Sequence, residues 1–362
     1  MTLTFTSMMH QEKQLKNNRQ IGIWLLIGVG MIVIQILLGG ITRLTESGLS
    51  ITEWKPITGA LPPMNETAWQ AEFEKYRLTD QFKYVHQSFS IHEFKFIFFW
   101  EWFHRLWARL MGMVFLIGFS YFLLKKKFNK SIIVPMIILF VLGGIQGAIG
   151  WIMVKSGLVP EKYFVGHIEL TTHFISALIL LAYTLWFAMR HLIPSTIKFY
   201  DSGIRNLLLI ILCTLFIQLI YGGFMAGLKA AISAPTWPSI NGSGIPDQIL
   251  ELTPWKENLI NNKITIHFIH RGMGYLIFLL SVFFFVKTKN INRSSLFRKI
   301  RLLFLISVSF QIVLGITALL TSTYPSTFVY VGVAHQFTAM LIVMCVTALL
   351  FLIRKRSIKL AE

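Results

Sequence analysis

The chain is poor in charged residues and in cysteine for its length. Of its 362 residues 14% are charged and 54% are hydrophobic. A soluble domain of this size cannot bury so much apolar surface, so the composition excludes a soluble protein and predicts an all-α polytopic membrane protein. Cys213 and Cys345 lie inside apolar runs, where we expect small core residues. No loop between these runs carries a cysteine, which excludes a disulfide between loops.

Acidic residues are also scarce, 16 against 34 basic ones, which gives a formal net charge of +18. This excess does not indicate a nucleic-acid partner, because the basic residues form short clusters between apolar runs. Most clusters fall on one side of the predicted membrane, so the positive-inside rule places both termini in the cytoplasm, or in the matrix of a mitochondrion. Segment 1–20 has no signal-peptide or presequence pattern, which favours a bacterial inner membrane. The clusters include Arg293, Lys355, Arg356 and Lys359.

Eight apolar runs are long enough to cross a bilayer, which takes about 20 residues each. They cover residues 21–41, 96–123, 131–154, 167–189, 205–228, 264–286, 302–322 and 330–353. The long loops 42–95 and 229–263 then lie on the outer side. Loop 42–95 contains Trp54, Pro56 and Gly59, a composition that predicts a folded segment against the membrane, in the position of a lid.

The second half of the chain repeats the first at a nearly constant offset. The matched blocks are Gln35, Gly39 and Gly40 with Gln218, Gly222 and Gly223; Glu101, His104 and Arg105 with His267, His270 and Arg271; Gln146 and Gly150 with Gln311 and Gly315; and His173 and Ala177 with His335 and Ala339. Single glycine matches could reflect close helix packing alone. Four blocks in the same order predict two tandem, pseudo-symmetric four-helix bundles, 1–200 and 201–362, related by an axis near the membrane normal.

The repeat selects four of the ten histidines, namely His104, His173, His270 and His335. Each lies near the outer end of an even-numbered span, so each half brings two imidazoles to a similar depth. Paired imidazoles in a four-helix bundle are typical of bis-axial haem ligation, whereas zinc would need further ligands. The alternative is a polar histidine satisfied by a neighbouring helix. We expect the other histidines outside the spans to be solvated: His10, His86, His92 and His191.

Glu101 and His104 are three positions apart, so they share one face of a helix. An acid at membrane depth is costly and predicts a functional site. Its counterpart in the second half is His267, which, like His167, could support the ligands or replace one of them. Three arginines also lie within spans, where a guanidinium could pair with a haem propionate or extend to the membrane interface. These are Arg105, Arg109 and Arg271.

Several segments together resemble the haem A synthase family, in the branch found in mitochondria and alphaproteobacteria. They are residues 39–50, 54–59 and 61–63, Glu93-Phe94-Lys95, and Glu101-Trp102-Phe103-His104-Arg105. The resemblance covers essentially the whole chain. It implies an oxidoreductase that acts on a CH group, converting the C8 methyl of haem O to a formyl group and giving haem A for terminal oxidases.

The resemblance also implies that the two bundles have different roles. The first bundle would take haem O between His104 and His173, and the second would hold a resident haem b through His270 and His335. Glu101 matches the family's essential acid, and we predict that it accepts a proton or stabilises positive charge at C8. Expected partners are haem O synthase and an electron acceptor, and the chain could form a homo-oligomer.

Two features depart from the family pattern. The paired loop cysteines of the Bacillus-type branch are absent, which fits the other branch. Near His173, where an arginine is expected, the chain has Ile168-Glu169-Leu170-Thr171, so no propionate contact is assigned to that helix. Two alternatives stay open: a dihaem b-type electron carrier, which has no use for Glu101, and a haem exporter, which would bind haem weakly and leave it unchanged.

Overall fold

The computed structural model describes residues 5–55, 58–128, 130–292 and 294–354. Within these ranges the protein is helical, with no β-strand beyond isolated bridge pairs. In chain order the helices are α1 (Phe5–Leu44), α2 (Glu66–Arg77), α3 (Asp80–Tyr84), α4 (Ile91–Leu124), α5 (Lys130–Gly157), α6 (His167–Leu192), α7 (Ser202–Gly227), α8 (Lys263–Thr288), α9 (Ser295–Leu320) and α10 (Pro325–Leu352). Pro56, Arg293, Lys355, Arg356 and Lys359 lie outside the described residues.

Eight of these helices, α1 and α4 to α10, are long and apolar enough to cross a membrane. The predicted fold class, an all-α membrane protein with eight spans, is therefore confirmed. Helix α1 is much longer than the predicted span 21–41: its 40 residues extend about 60 Å. It continues into the polar segment because lysine, glutamine and arginine favour helix even outside an apolar environment. We call the side where α1 ends and α4 begins the loop face, and the opposite side the terminal face.

Corresponding helices of the two halves have corresponding neighbours. Helix α1 packs against α4 and α6, and α7 packs against α8 and α10; α5 contacts α6, as α9 contacts α10. The halves meet where α6 contacts α7 and α10, and where α10 contacts α1. Helix α10 is the most enclosed of the eight spans, because 67% of its most apolar stretch of 18 residues is buried within the protein. These contacts agree with a division into 1–200 and 201–362, which we retain as a proposal.

The first outer loop is folded on the beginning of α4. Asn65 and Thr79 cap the N-termini of α2 and α3 by accepting backbone N–H groups. Helix α2 buries Phe73 and Tyr76, which is 0% exposed, against aromatic and aliphatic side chains of α4. Ring centroids of Tyr76 and Phe94 lie 5.3 Å apart in a stacked arrangement. The segment is thus fixed over one end of the first half.

The two halves are also joined at the loop face by equivalent residues. Arg43 donates to the carbonyl of Ala226, and Lys229 pairs with Glu46, each pair being 183 residues apart. Glu46 and Lys229 share a left-handed backbone with φ of 57° and 50°. Hydrogen bonding from His86, and then from Lys229, lowers the pKa of Glu46 from 4.5 to about 2 against the opposing effect of burial. A partly buried ion pair therefore lies between the ends of α1 and α7.

Three expectations for side chains are wrong. His86 is 5% exposed, because its ring stacks on Phe89 and bonds the Tyr76 hydroxyl at 2.7 Å. His191 is partly buried, edge-on to Phe187. Cys345 is buried as expected, but Cys213 is exposed because it lies on the outer side of α7. In a membrane that side of the helix faces lipid, which sequence hydrophobicity cannot separate from core.

Candidate functional site

Each of the four repeat histidines packs against a glycine of the preceding spanning helix. A Cβ atom added to that glycine would lie between 2.8 and 3.2 Å from the nearest ring atom. Contacts below about 3.4 Å are tighter than ordinary packing allows, so the missing side chain provides the space for the ring. The pairs are Gly39 with His104, Gly150 with His173, Gly222 with His270, and Gly315 with His335.

A glutamine lies four residues before each glycine, hence on the same face of the helix. Three of these carboxamides reach a ring nitrogen, and Gln35 instead donates to the main-chain carbonyl of His104 at 3.2 Å. The nitrogen–nitrogen distances are 3.1 Å for Gln146 and His173, 3.5 Å for Gln218 and His270, and 3.2 Å for Gln311 and His335. Glycine and glutamine together fix the imidazoles of His173, His270 and His335 between two helices, and the glycine alone contacts the ring of His104.

Within each half the two histidines lie near the loop-face ends of their helices, His104 in α4 and His173 in α6, and His270 in α8 and His335 in α10. The Nδ1 atoms of His270 and His335 are buried and have no hydrogen-bond partner. A buried polar atom without a partner is unusual and calls for an explanation, such as a ligand. No group of three histidine, cysteine or acidic side chains that could hold a metal ion occurs among the described residues. In the second half, two imidazoles that each have an unpartnered buried nitrogen are a donor set that suits axial ligation of an iron porphyrin.

Glu101 is 2% exposed, and three donors surround its carboxylate. Oε2 accepts from the Ser50 hydroxyl at 2.7 Å and from the Ile51 backbone N–H at 2.9 Å. Oε1 accepts from Arg105, one turn further along α4, at 2.5 Å. These bonds compensate the cost of burying the acid and tie the first outer loop to the helix that carries His104.

His267 makes the corresponding link in the second half. It is fully buried, its Nε2 lies 3.1 Å from the carbonyl oxygen of Ala230, and its Nδ1 accepts from Arg271 Nε at 3.2 Å. Arg271 then donates to the carbonyls of Ser239, Ala234 and Thr236. The second outer loop is thus held by an imidazole and an arginine, where the first is held by an acid and an arginine.

The arginines considered for propionate binding all reach loop carbonyls. Arg105 donates to Ile51 at 3.2 Å, and Arg109 donates to Lys55 at 3.0 Å. Arg271, as described, uses both terminal nitrogens on the second loop. Each guanidinium holds the loop above its histidine, and a propionate contact stays a prediction.

The two other residues with open roles lie away from these pairs. His167 begins α6 and packs edge-on against Phe224, with centroids 5.6 Å apart. Glu169 lies in the first turn of the same helix, where its charge is favourable for the helix dipole.

Sequence reasoning assigned no role to the four glutamines and did not find the loop contacts. The signal for the glutamines was present, since a glutamine followed four residues later by glycine occurs in four odd-numbered spans. The contacts of Ser50, Ile51 and Ala230 involve irregular loops, whose path depends on tertiary packing.

The fold and its histidines define a multi-pass, all-helical membrane protein with a pair of partly buried imidazoles in each half. Residues 22–347 match the family model described as cytochrome oxidase assembly protein. A heme A synthase of Flavobacterium psychrophilum is 39% identical over 338 residues, covering 92% of this chain and 98% of the relative. The heme A synthase of Nitrosomonas eutropha is 37% identical, covering 96% of this chain and 96% of the relative. That of Agrobacterium fabrum is also 37% identical, covering 91% of this chain and 89% of the relative. The chain belongs to this family, which confirms the resemblance found in its motifs.

Proposed function

We propose that this protein is a haem A synthase that oxidises the C8 methyl group of haem O to a formyl group. The observation that carries the proposal is the pair of imidazoles in each half, of which the first lies beside the buried acid Glu101, a position that His267 occupies in the second half. Near-complete coverage of relatives named heme A synthase supports the assignment. The product would serve cytochrome oxidase assembly, for which the family is named.

The two halves would have different tasks. We assign haem O to His104 and His173 in the first half, and a resident haem b to His270 and His335 in the second. The unpartnered nitrogens of the second pair support this choice, since iron would satisfy both. When bound, haem b supplies a redox centre that can accept electrons from the site of oxidation.

Glu101 would act on protons at the first site. A carboxylate has about four acceptor positions, and Ser50, Ile51 and Arg105 occupy three. The position that remains can accept a proton as the C8 carbon is oxidised, or stabilise positive charge there. The Arg105 contact keeps the acid oriented. His267, which uses both ring nitrogens on the loop and on Arg271, offers no such acceptor.

The loops above the two sites would limit access of water. Arg105, Arg109 and Arg271 hold these loops, and we propose that they also attract haem propionates at the loop face. The terminal nitrogens of Arg105 contact Glu101, Ile51 and Glu53, which holds its charge close to His104.

We further propose a bacterial inner membrane with both termini in the cytoplasm, which places the haem sites near the outer surface. A haem O synthase would deliver the substrate, and a separate electron acceptor would reoxidise the protein. A homo-oligomer remains part of the proposal.

Pigment extraction tests the function. Cells that express this chain together with a haem O synthase should contain haem A, whereas haem B and haem O alone would identify an electron carrier or an exporter. His270→Ala and His104→Ala test the assignment of the halves: the first should lose the resident haem b and the second should retain it.

A further inference from the structure

The carboxamide of Gln146 is held in one orientation by contacts at both ends. Its Oε1 atom accepts a hydrogen bond of 2.6 Å from the Ser176 hydroxyl. Its Nε2 atom lies 2.9 Å from the main-chain carbonyl oxygen of His173. A carbonyl oxygen can only accept, so the nitrogen end of the amide must be the end that faces His173.

The same Nε2 atom lies 3.1 Å from Nδ1 of the His173 ring and donates its second hydrogen there. A neutral imidazole has one acceptor nitrogen and one N–H. With Nδ1 accepting from Gln146, the proton is on Nε2, and neither nitrogen offers a free lone pair. Iron needs a nitrogen that carries no proton. His173 must therefore give up its bond with Gln146 before it can bind iron.

The glutamines of the second half are not held in this way. The Oε1 atoms of Gln218 and Gln311 have no hydrogen-bond partner. The amide nitrogens now lie 3.5 Å from Nε2 of His270 and 3.2 Å from Nε2 of His335. If either amide rotates about its last bond, its oxygen takes the place of its nitrogen beside the ring. The oxygen loses no protein contact in this rotation. The ring N–H then donates to the amide, as metal-bound histidines commonly do to a neighbouring acceptor. The unpartnered Nδ1 of His270 or His335 is left to bind iron.

One substitution within the repeat explains why the Oε1 atom of Gln146 has a partner and that of Gln311 has none. Ser176 lies three residues after His173, and Thr338 lies three residues after His335. The Thr338 hydroxyl donates to the carbonyl of Ala334, one turn earlier, at 3.0 Å. The Ser176 hydroxyl has the corresponding carbonyl of Thr172 at 2.8 Å, but its shortest contact is the one to Gln146.

We infer that Ser176 and Gln146 are positioning residues that keep haem in the first half exchangeable. The inference rests on the proposed function, in which the first half must take up haem O and release haem A while the second keeps its haem b. A bond that competes with iron for His173 weakens retention at the substrate site only. Gln35 bonds the main chain of His104, so the competing bond in the first half is the one at His173.

Haem transfer from the purified full-length protein to excess apomyoglobin, followed by absorbance, measures this effect. To observe haem bound to the first half alone, the measurement uses the full-length His270→Ala variant loaded with haem O. Ser176→Ala should slow haem loss about fivefold, which corresponds to about 1 kcal/mol, the contribution of one neutral hydrogen bond. It should also raise the fraction of low-spin, bis-histidine haem, a signature that a purely structural role would not increase. Gln146→Leu, which removes the competing donor, should slow haem loss as well.

Thr338→Ala is the matched control, measured in a His104→Ala background loaded with haem B. It should leave haem loss from the second half unchanged, because Thr338 does not bond Gln311. If haem leaves both Ser176→Ala and Gln146→Leu at the parent rate or faster, the inference is wrong. If the His270→Ala parent binds no haem O at all, the assignment of haem O to the first half fails, which is a separate result.

Discussion

Glu101 and His267 hold the same position in the two halves, and each accepts a hydrogen bond from the arginine one turn further along its helix. Each also bonds the backbone of the outer loop that covers its half. The exchange of an acid for an imidazole therefore preserves the loop attachment and changes the chemistry next to the haem site. Structure and reactivity can be separated at this position by substitution.

Glu101→Gln should retain haem but lower haem A production about 100-fold or more, the usual effect of losing a general base. Glutamine can still accept from Ser50 and Ile51, so the loop stays attached while the proton acceptor is lost. Extracted pigments should be haem O or an alcohol intermediate. His267→Gln is the control, since glutamine can accept from Arg271 and donate to Ala230, and haem A should persist. Normal haem A from Glu101→Gln would contradict the catalytic role.

Arg105→Leu should release the first outer loop. The guanidinium makes bonds to Glu101 and to the carbonyls of Ile51 and Glu53, and bonds involving a charged group contribute about 1.5–3 kcal/mol. Hydrogen–deuterium exchange over residues 47–55 should therefore accelerate by about tenfold or more. Lys83→Leu serves as the comparison, because the Lys83 ammonium pairs with Asp80 at the surface, where such a pair contributes little. Unchanged exchange in Arg105→Leu would show that the loop is held by other contacts.

Gly315→Ala should reduce the haem b content of the purified protein by half or more. The new Cβ would lie 3.1 Å from Cε1 of His335, so the ring must move from its position between the helices. Gly272→Ala, on α8, has no atom within 4 Å of the added Cβ. That variant should keep its haem and gain about 1 kcal/mol of helix stability. The ratio of haem to protein from absorbance distinguishes the two, and equal ratios would argue against a tight glycine contact.

The contacts of Glu46 with His86 and, secondly, with Lys229 should make stability depend on acid pH. The pKa of Glu46 is lowered to about 2 in the folded protein, so its contribution is complete above about pH 4.5 and is lost as the pH falls toward 2. Melting temperature in detergent should decline over this range less steeply in Glu46→Gln than in the parent. Glu46→Lys should destabilise the protein at pH 7, and adding Lys229→Glu should recover part of the loss. Parallel pH profiles for the parent and Glu46→Gln would contradict this account.

The sequence predicted the parts of the molecule that depend on composition and periodicity. The eight spans followed from apolar runs, and His104, His173, His270 and His335 followed from the repeat. The limits of α1 were missed because a helix can continue past the bilayer where polar residues favour it. Cys213 was misplaced because lipid-facing and core-facing apolar residues look alike in a membrane protein.

The loop contacts depended on information that the sequence does not carry locally. His86 was taken as solvated because it lies in a polar segment, yet Tyr76, Phe89 and Glu46 enclose it. Likewise, Ser176 differs from Thr338 by one methyl group, and only the bond to Gln146 shows what the difference does. Such effects come from which partner a hydroxyl or imidazole meets in space.

The pairing of Glu46 with Lys229 also bears on the history of the duplication. If a single four-helix unit had once formed a two-fold dimer, the residue at this position would have met its own copy across the axis. Two glutamates or two lysines in such a place repel each other, and symmetry permits no other combination. Opposite charges became available only after both units were encoded in one chain and could change independently. Fusion would thus allow the contact between the halves to become attractive, and the same freedom allows one half to carry Glu101 where the other carries His267.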